Sequence, residues 1–345
     1  MSHLVRLFSS GLEITLACPC RCETCGSSAG SPRRSELSTG EWIAVIRSIS
    51  ALGCRRATIM GGEPLSRPDW PDLARAAVAS GLDTDLVTSG IGVDRPAAEL
   101  MHAIGLVSVT VSVDGTRDVH DAQRRLPGCF DQAVSAIRIL DETGLRVGVT
   151  SQLNRETLPT LEALAPVLEE AGALGWQVQL TLPTGRAEGR VDLLPAPDLM
   201  PEAHRTLARL AARRGLRPFI TDNIGYLTRD DPALRTPAGA PERCWLGCFA
   251  GLRTVGVTSD GSVKGCLALP DSLIEGNVRS EPLERIWGDP SRFPYNRAFD
   301  PSTLSGPCAE CIYGKVCRGG CTATAVAWSG KPGVSTHCFR LHGVS

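Results

Sequence analysis

Fourteen cysteines mark where chemistry could reside in this chain of 345 residues. They stand at positions 18, 20, 22, 25, 54, 129, 244, 248, 266, 308, 311, 317, 321 and 338. Four fall within eight residues near the start, and eight within the last 102. Only Cys54 and Cys129 lie between them. Cys18, Cys22 and Cys25 form a C-x3-C-x2-C. Three thiolates this close can wrap one face of an iron–sulfur cubane and leave its fourth iron open to a ligand. A structural zinc site takes four ligands. Cys20 offers a fourth, so the spacing alone leaves zinc open as well.

The rest of the composition narrows the field. Acids number 37 and bases 36, a net charge of −1. A generic polyanion binder needs a strongly basic surface, so no nucleic-acid partner is expected. Hydrophobic content of 42% and charged content of 21% are those of a globular chain. No apolar run reaches the roughly 18 residues of a membrane span, so no membrane partner is expected. Met1–Arg6 lacks the charged and apolar regions of a signal peptide. A cytoplasmic location is therefore expected. There a disulfide framework does not persist, and many cysteines mean metal or redox chemistry.

A second candidate is Gly61-Gly62-Glu63-Pro64. Two glycines let backbone approach a ligand closely, and Glu63 offers an acceptor for an ammonium. Read alone, the segment is a Gly-Gly turn before a helix.

Alternating strands and helices must position these residues. Strands are predicted at 12–16, 56–60, 86–89, 106–113, 147–152 and 177–182, with a short extra one at 219–221. Helices are predicted from Ser38 and over 70–79, 95–104, 130–140, 157–171 and 201–214. Ser38 and Glu41 have the spacing of a capping box. Such alternation means successive parallel βαβ units. Six units are too few for a closed eight-fold barrel. An open partial barrel and a doubly wound sheet both remain, and either places active residues at the C-terminal ends of the strands. Residues 236–241 read as a linker, so domains are expected at 1–235 and 236–345.

The sequence resembles the radical S-adenosylmethionine (SAM) superfamily, whose hallmark is C-x3-C-x2-C after the first barrel strand. Gly61-Gly62-Glu63-Pro64 matches a second family motif, after the second strand. Further family-like stretches follow at Thr88-Ser89-Gly90, Ser112-Val113-Asp114-Gly115, His120-Asp121 and Arg124-Arg125. The resemblance covers residues 10–225. It implies an α/β fold with a partial (β/α)6 TIM-like barrel, followed by a small cysteine-rich iron–sulfur domain. It also implies a [4Fe–4S] cluster on Cys18, Cys22 and Cys25. SAM would be held by Gly61, Gly62 and Glu63 at its amino group, with Ser89 nearby. Ser112 and one of Arg124 and Arg125 would grip its carboxylate, for which an Arg fork is suited.

The C-terminal cysteines run Cys244-x3-Cys248, Gly261-x4-Cys266, Cys308-x2-Cys311-x5-Cys317-x3-Cys321, then Cys338. Alone, such sites suit zinc as well as iron–sulfur. The pattern resembles the SPASM extension of peptide-modifying radical SAM enzymes. That implies two auxiliary [4Fe–4S] clusters, hence three in all. The first would take Cys248, Cys266, Cys321 and Cys244, with Cys244 the most variable in spacing. The second would take Cys308, Cys311, Cys317 and Cys338. Cys20, Cys54 and Cys129 are left over. A buried free thiol acts as a small hydrophobe. The sharper reading makes Cys54 or Cys129 a catalytic hydrogen-atom donor to a substrate radical.

The resemblance implies reductive cleavage of SAM to a 5′-deoxyadenosyl radical, which abstracts hydrogen from an unactivated C–H. An external donor such as flavodoxin or ferredoxin would supply the electron. Sulfatase-maturing relatives carry Asp after the G-x4-C cysteine, where this chain has Leu267, which speaks against that activity. The favoured substrate is a ribosomally made precursor peptide, to be crosslinked, epimerised or oxidised. Only 17 residues precede Cys18, so leader recognition is expected from the C-terminal region or a separate leader-binding protein. Two alternatives stand beside it: oxidation or epimerisation of a small metabolite such as an aminosugar, and a non-catalytic zinc-stabilised binding protein.

Overall fold

The computed structural model describes residues 6–344, so most of the Met1–Arg6 segment lies outside the described residues. Seven parallel strands form the body of one sheet: β1 (Ser9–Glu13), β2 (Arg56–Met60), β3 (Asp83–Thr88), β4 (Ser108–Ser112), β5 (Val147–Leu153), β6 (Gly175–Leu180) and β7 (Pro218–Ile220). They lie side by side in chain order. A doubly wound sheet reverses its order at a switch point. This one never does, and right-handed crossovers then place the intervening helices on one side. The result is the expected partial barrel.

The helices are α1 (Thr39–Ala51), α2 (Trp70–Ala79), α3 (Arg95–Ile104), α4 (Arg117–Arg124), α5 (Cys129–Glu142), α6 (Leu161–Glu170) and α7 (Met200–Ala212). Helix α1 opens on the expected capping box. Glu41 Oε2 accepts Ser38 N–H at 2.7 Å, and Ser38 Oγ accepts Glu41 N–H at 3.4 Å. The helix then buries Trp42, Val45, Ile46 and Ile49, the three-four spacing of one apolar face.

Three features differ from the sequence reading. Strand β1 ends at Glu13, whereas the apolar run suggests Leu12–Leu16. Beyond Ile14 the backbone leaves the ladder, because Leu16 N–H is taken by Glu36 Oε1 at 2.8 Å. Helix α4 occupies a stretch with no apolar period, since its buried residues are the polar His120 and Gln123. Finally, the C-terminal region returns to the free edge of β1. There β8 (Thr254–Val257) pairs with β1 in parallel, and β9 (Ser262–Lys264) and β10 (Gly276–Asn277) follow antiparallel. Strands of two to four residues carry too little alternation to be read in advance.

One apolar core runs through the whole sheet, from Val178 on β6 to Val257 and Val263 beyond β1. A smaller cluster around Tyr226 and Trp245 lies among the C-terminal cysteines. No helix among the described residues is long and apolar enough to cross a membrane.

Candidate active site

The C-terminal ends of the strands converge on a cavity of about 190 Å3. Cys18, Cys22 and Cys25, from the loop after β1, form part of its wall. Arg186, from the loop after β6, fastens that loop by donating to Cys22 O and Ala29 O, each at 2.7 Å. Sequence reading passed over Arg186, whose place in a loop after a strand was the available signal. Cys20 is only 1% exposed. Its thiol sits between Cys18 and Cys22, and the hydrogen bonds it makes pull both below the usual thiol range, Cys22 to about 6. The same bonds push Cys20 upward.

Gly61 and Gly62 line the cavity and have no room for a side chain. A Cβ at Gly61 would stand 2.3 Å from Thr15 O, and one at Gly62 2.3 Å from Ala17 O. Thus the two glycines lock the loop after β2 onto the cysteine loop. Glu63 is not in the cavity wall. Its carboxylate is 1% exposed and accepts from Ser89 N–H (2.7 Å), Ser89 Oγ–H (2.5 Å), Thr88 Oγ1–H (2.8 Å) and Leu65 N–H (3.3 Å). Burial pushes its pKa up against these four donors. It therefore ties the β2 loop to the end of β3, while Ser89 and Ser112 reach the cavity.

The two adjacent arginines separate. Arg124 lines the cavity and meets Asp114, whereas Arg125 lies outside it, 59% exposed, donating to Glu23 at 2.7 Å. Burial opposes the Arg124 charge, but Asp114, Cys22 and Cys20 outweigh it and raise its pKa. Arg124 Nε has no hydrogen-bond partner among the described residues. A buried donor left open in this way suits an anionic ligand.

Neither candidate hydrogen donor lines either cavity. Cys54 precedes β2, at the opposite end of the strands, and donates to Arg56 O at 3.2 Å. Cys129 is 1% exposed at the start of α5 and donates to Asp121 Oδ1 at 3.3 Å.

A larger cavity of about 670 Å3 adjoins the first. Both are lined by Thr24, Gly26, Met60, Gly61, Gln152 and Gln179, so the two spaces communicate. Its far wall comes from the C-terminal region, including Leu267, Lys264 and Asp271. Glu13 pairs with Arg33 at 2.9 Å, and Lys264 with Asp271 at 3.2 Å.

The C-terminal thiols fall into two groups. Cys248 and Cys321 share a hydrogen bond that lowers Cys248 to about 6, and Cys266 lies within their electrostatic range. Cys317 and Cys338 interact with each other and with Cys308, and Cys338 also with Cys311. Cys244 is exposed, whereas Cys248 is buried.

Barrel and thiol clusters together define an iron–sulfur enzyme. The profile of the radical SAM superfamily matches residues 12–181, and that of the SPASM iron–sulfur cluster-binding domain matches 248–312. The chain belongs to the radical SAM superfamily and carries a C-terminal SPASM domain. It uses SAM and [4Fe–4S] clusters, auxiliary ones included. It is 29% identical to the AdoMet-dependent heme synthase of Methanosarcina barkeri, over 92% of each chain. It is 30% identical to the PqqA peptide cyclase of Gluconobacter oxydans, over 92% of this chain and 86% of that one. Streptococcus suis SuiB, solved with the precursor peptide SuiA, superposes with a TM-score of 0.75 at 15% identity. That match covers 96% of this chain and 75% of SuiB, and shows the shared fold.

Proposed function

We propose that this protein modifies a precursor peptide by radical chemistry at a C–H bond. The observation that carries this reading is the roughly 670 Å3 space opening onto the cysteine-lined cavity. Its size suits a peptide segment, and its wall mixes apolar side chains with paired charges and side-chain amides. The relative named as a peptide cyclase supports the same reading.

The donor sets fit their groups. Cys18, Cys22 and Cys25, which line the cavity, would hold one cluster by three of its irons and leave the fourth for SAM. With SAM bound, that site supplies one-electron abstraction of a hydrogen atom from an unactivated C–H. The Arg124 fork and Ser112 hold the SAM carboxylate. The backbone of Gly61 and Gly62 would take its ammonium, and Glu63 fixes that backbone in place. Gln152 and Gln179, at the junction of the cavities, orient the substrate toward the site of abstraction. Cys248, Cys266 and Cys321 would hold the first auxiliary cluster, and Cys308, Cys311, Cys317 and Cys338 would hold the second. A flavodoxin or ferredoxin supplies the electron, and a separate leader-binding protein delivers the peptide.

A second reading is action on a heme precursor, favoured by the match to the heme synthase over 92% of both chains. Anaerobic incubation with SAM, reductant and either neighbouring-gene peptides or a heme precursor decides between them by mass spectrometry. Peptide that loses two hydrogens, or gains solvent deuterium without other change, supports the proposal. Turnover of the heme precursor with inert peptides overturns it.

A further inference from the structure

Tyr226 and Trp245 stand between the two C-terminal cysteine groups. They are 1% and 2% exposed, and their ring centroids lie 4.9 Å apart. Both belong to a small core that includes Cys248 and packs against Cys266, Cys317, Cys321 and Cys338. Simple apolar filling would need no polar edge on either ring. Here both polar edges face cysteines. Trp245 Nε1–H donates to Cys317 O at 3.2 Å, and its ring packs in the cluster that Cys317 adjoins. Tyr226 Oη accepts Cys321 N–H at 3.1 Å, and its backbone carbonyl accepts from Cys338 Sγ at 3.9 Å. A phenol that accepts one bond still has its own proton to donate. The thiols whose charge the Tyr226 hydroxyl feels are Cys321 and Cys317.

The placement is built in. Gly320, between Cys317 and Cys321, leaves room for the ring: a Cβ there would stand 2.8 Å from the Tyr226 ring. Trp245 is held by its backbone N–H on Asp231 Oδ2 at 3.2 Å, and the Arg235 guanidinium lies 5.4 Å from its ring centroid. Arg235 is itself paired with Asp231 at 2.7 Å.

We propose that Tyr226 and Trp245 are positioning residues that set the reduction potentials of the two auxiliary clusters, Trp245 through Cys317 and Tyr226 through Cys321. This rests on the ligand sets proposed above. A buried polar group held against a ligating cysteine acts on the added negative charge of the reduced cluster, and a positive N–H or O–H end turned toward it raises its potential. Burial strengthens the effect, because little water screens it.

The test is an EPR-monitored redox titration of the full chain, anaerobically reconstituted, as wild type, Trp245→Phe and Tyr226→Phe. Both substitutions keep a ring and remove its polar group. Trp245→Phe lowers the midpoint of the cluster on Cys308, Cys311, Cys317 and Cys338. Tyr226→Phe lowers that of the cluster containing Cys321. The SAM-binding cluster is unmoved in both. Unmoved auxiliary midpoints at full iron content overturn this inference alone. Fewer than two C-terminal clusters in wild type overturn the ligand assignment and this inference with it. Should Trp245→Phe lose iron, wild-type protein grown with 15N-indole tryptophan serves instead. Pulsed EPR then shows nitrogen coupling to a reduced auxiliary cluster, and its absence overturns the role of Trp245.

Discussion

Arg124 and Asp114 meet at 2.6 Å in the wall of the smaller cavity, with side chains only 12% and 2% exposed. Asp114 also accepts Gln152 N–H at 2.9 Å, so the pair is stitched to β5. It joins the end of β4 to helix α4 and leaves the Arg124 Nε–H open toward a ligand. Removing one partner of a buried pair strands the other, at a cost of roughly 3–5 kcal/mol. Arg124→Met is therefore expected to lose both stability and SAM binding. Arg125→Met removes only an exposed contact to Glu23, worth up to about 1 kcal/mol, and keeps SAM binding. Urea unfolding and SAM titration of the two variants, side by side, check this. Equal loss of SAM affinity in both would mean that the fork assignment is wrong.

Glu63→Gln tests whether Glu63 is a scaffold for the SAM site or a contact to SAM. Four donors converge on the carboxylate, and a glutamine presents one of them with an N–H group instead. A donor left unsatisfied costs about 1–3 kcal/mol. Thermal stability and SAM affinity should fall together, the latter roughly tenfold, or about 1.4 kcal/mol. A fall in affinity at unchanged melting temperature would instead make Glu63 a direct ligand of SAM.

Iron counting separates the cysteines. Cys244→Ala should keep all its iron, because Cys244 is exposed while Cys248 near it in the chain is buried. Cys266→Ala should lose about a third, one of the three proposed clusters. Cys20→Ala should retain SAM cleavage, whereas Cys22→Ala should abolish it. Iron loss on Cys244→Ala would add that residue to the first auxiliary set.

His120 gives a pH signature. Burial pulls its pKa down to about 4, helped by Arg124 and opposed by Asp114 and Asp121. Its Nδ1 accepts Asp114 N–H at 3.0 Å, a bond that requires the neutral ring. The unfolded chain protonates this histidine near pH 6.5 while the folded chain resists. Stability is thus full above pH 6.5 and is lost as pH falls toward 4, by roughly 3 kcal/mol in total. Urea unfolding of wild type and His120→Gln between those limits measures it. An equally steep pH slope in His120→Gln would assign the effect to another group.

Local pattern was enough for much of this protein. Strand β2 and helices α2 and α3 lie where apolar periodicity and end signals place them. At α3, Asp94 caps the start and Gly105, at φ 89°, ends the helix in the left-handed region. The cysteine spacings are legible because one short loop can bring three sulfurs to one face. Ser112 and the Gly61-Gly62 pair are legible because strand ends carry the site in parallel α/β folds. Tertiary structure alone chose between neighbours. Arg124 shares a helix face with His120, four residues earlier, and that face is buried although it is polar. Arg125 stands one step round and outside. No hydrophobic period announces such a face, since its burial depends on Asp114, at the end of β4, in the same cavity wall. The same holds for Glu63, whose partners Thr88 and Ser89 are 25 and 26 residues away. It holds also for β8 against β1, where Ser9 meets Thr254. Contacts between distant segments are set by packing of the whole chain, and no local window contains them.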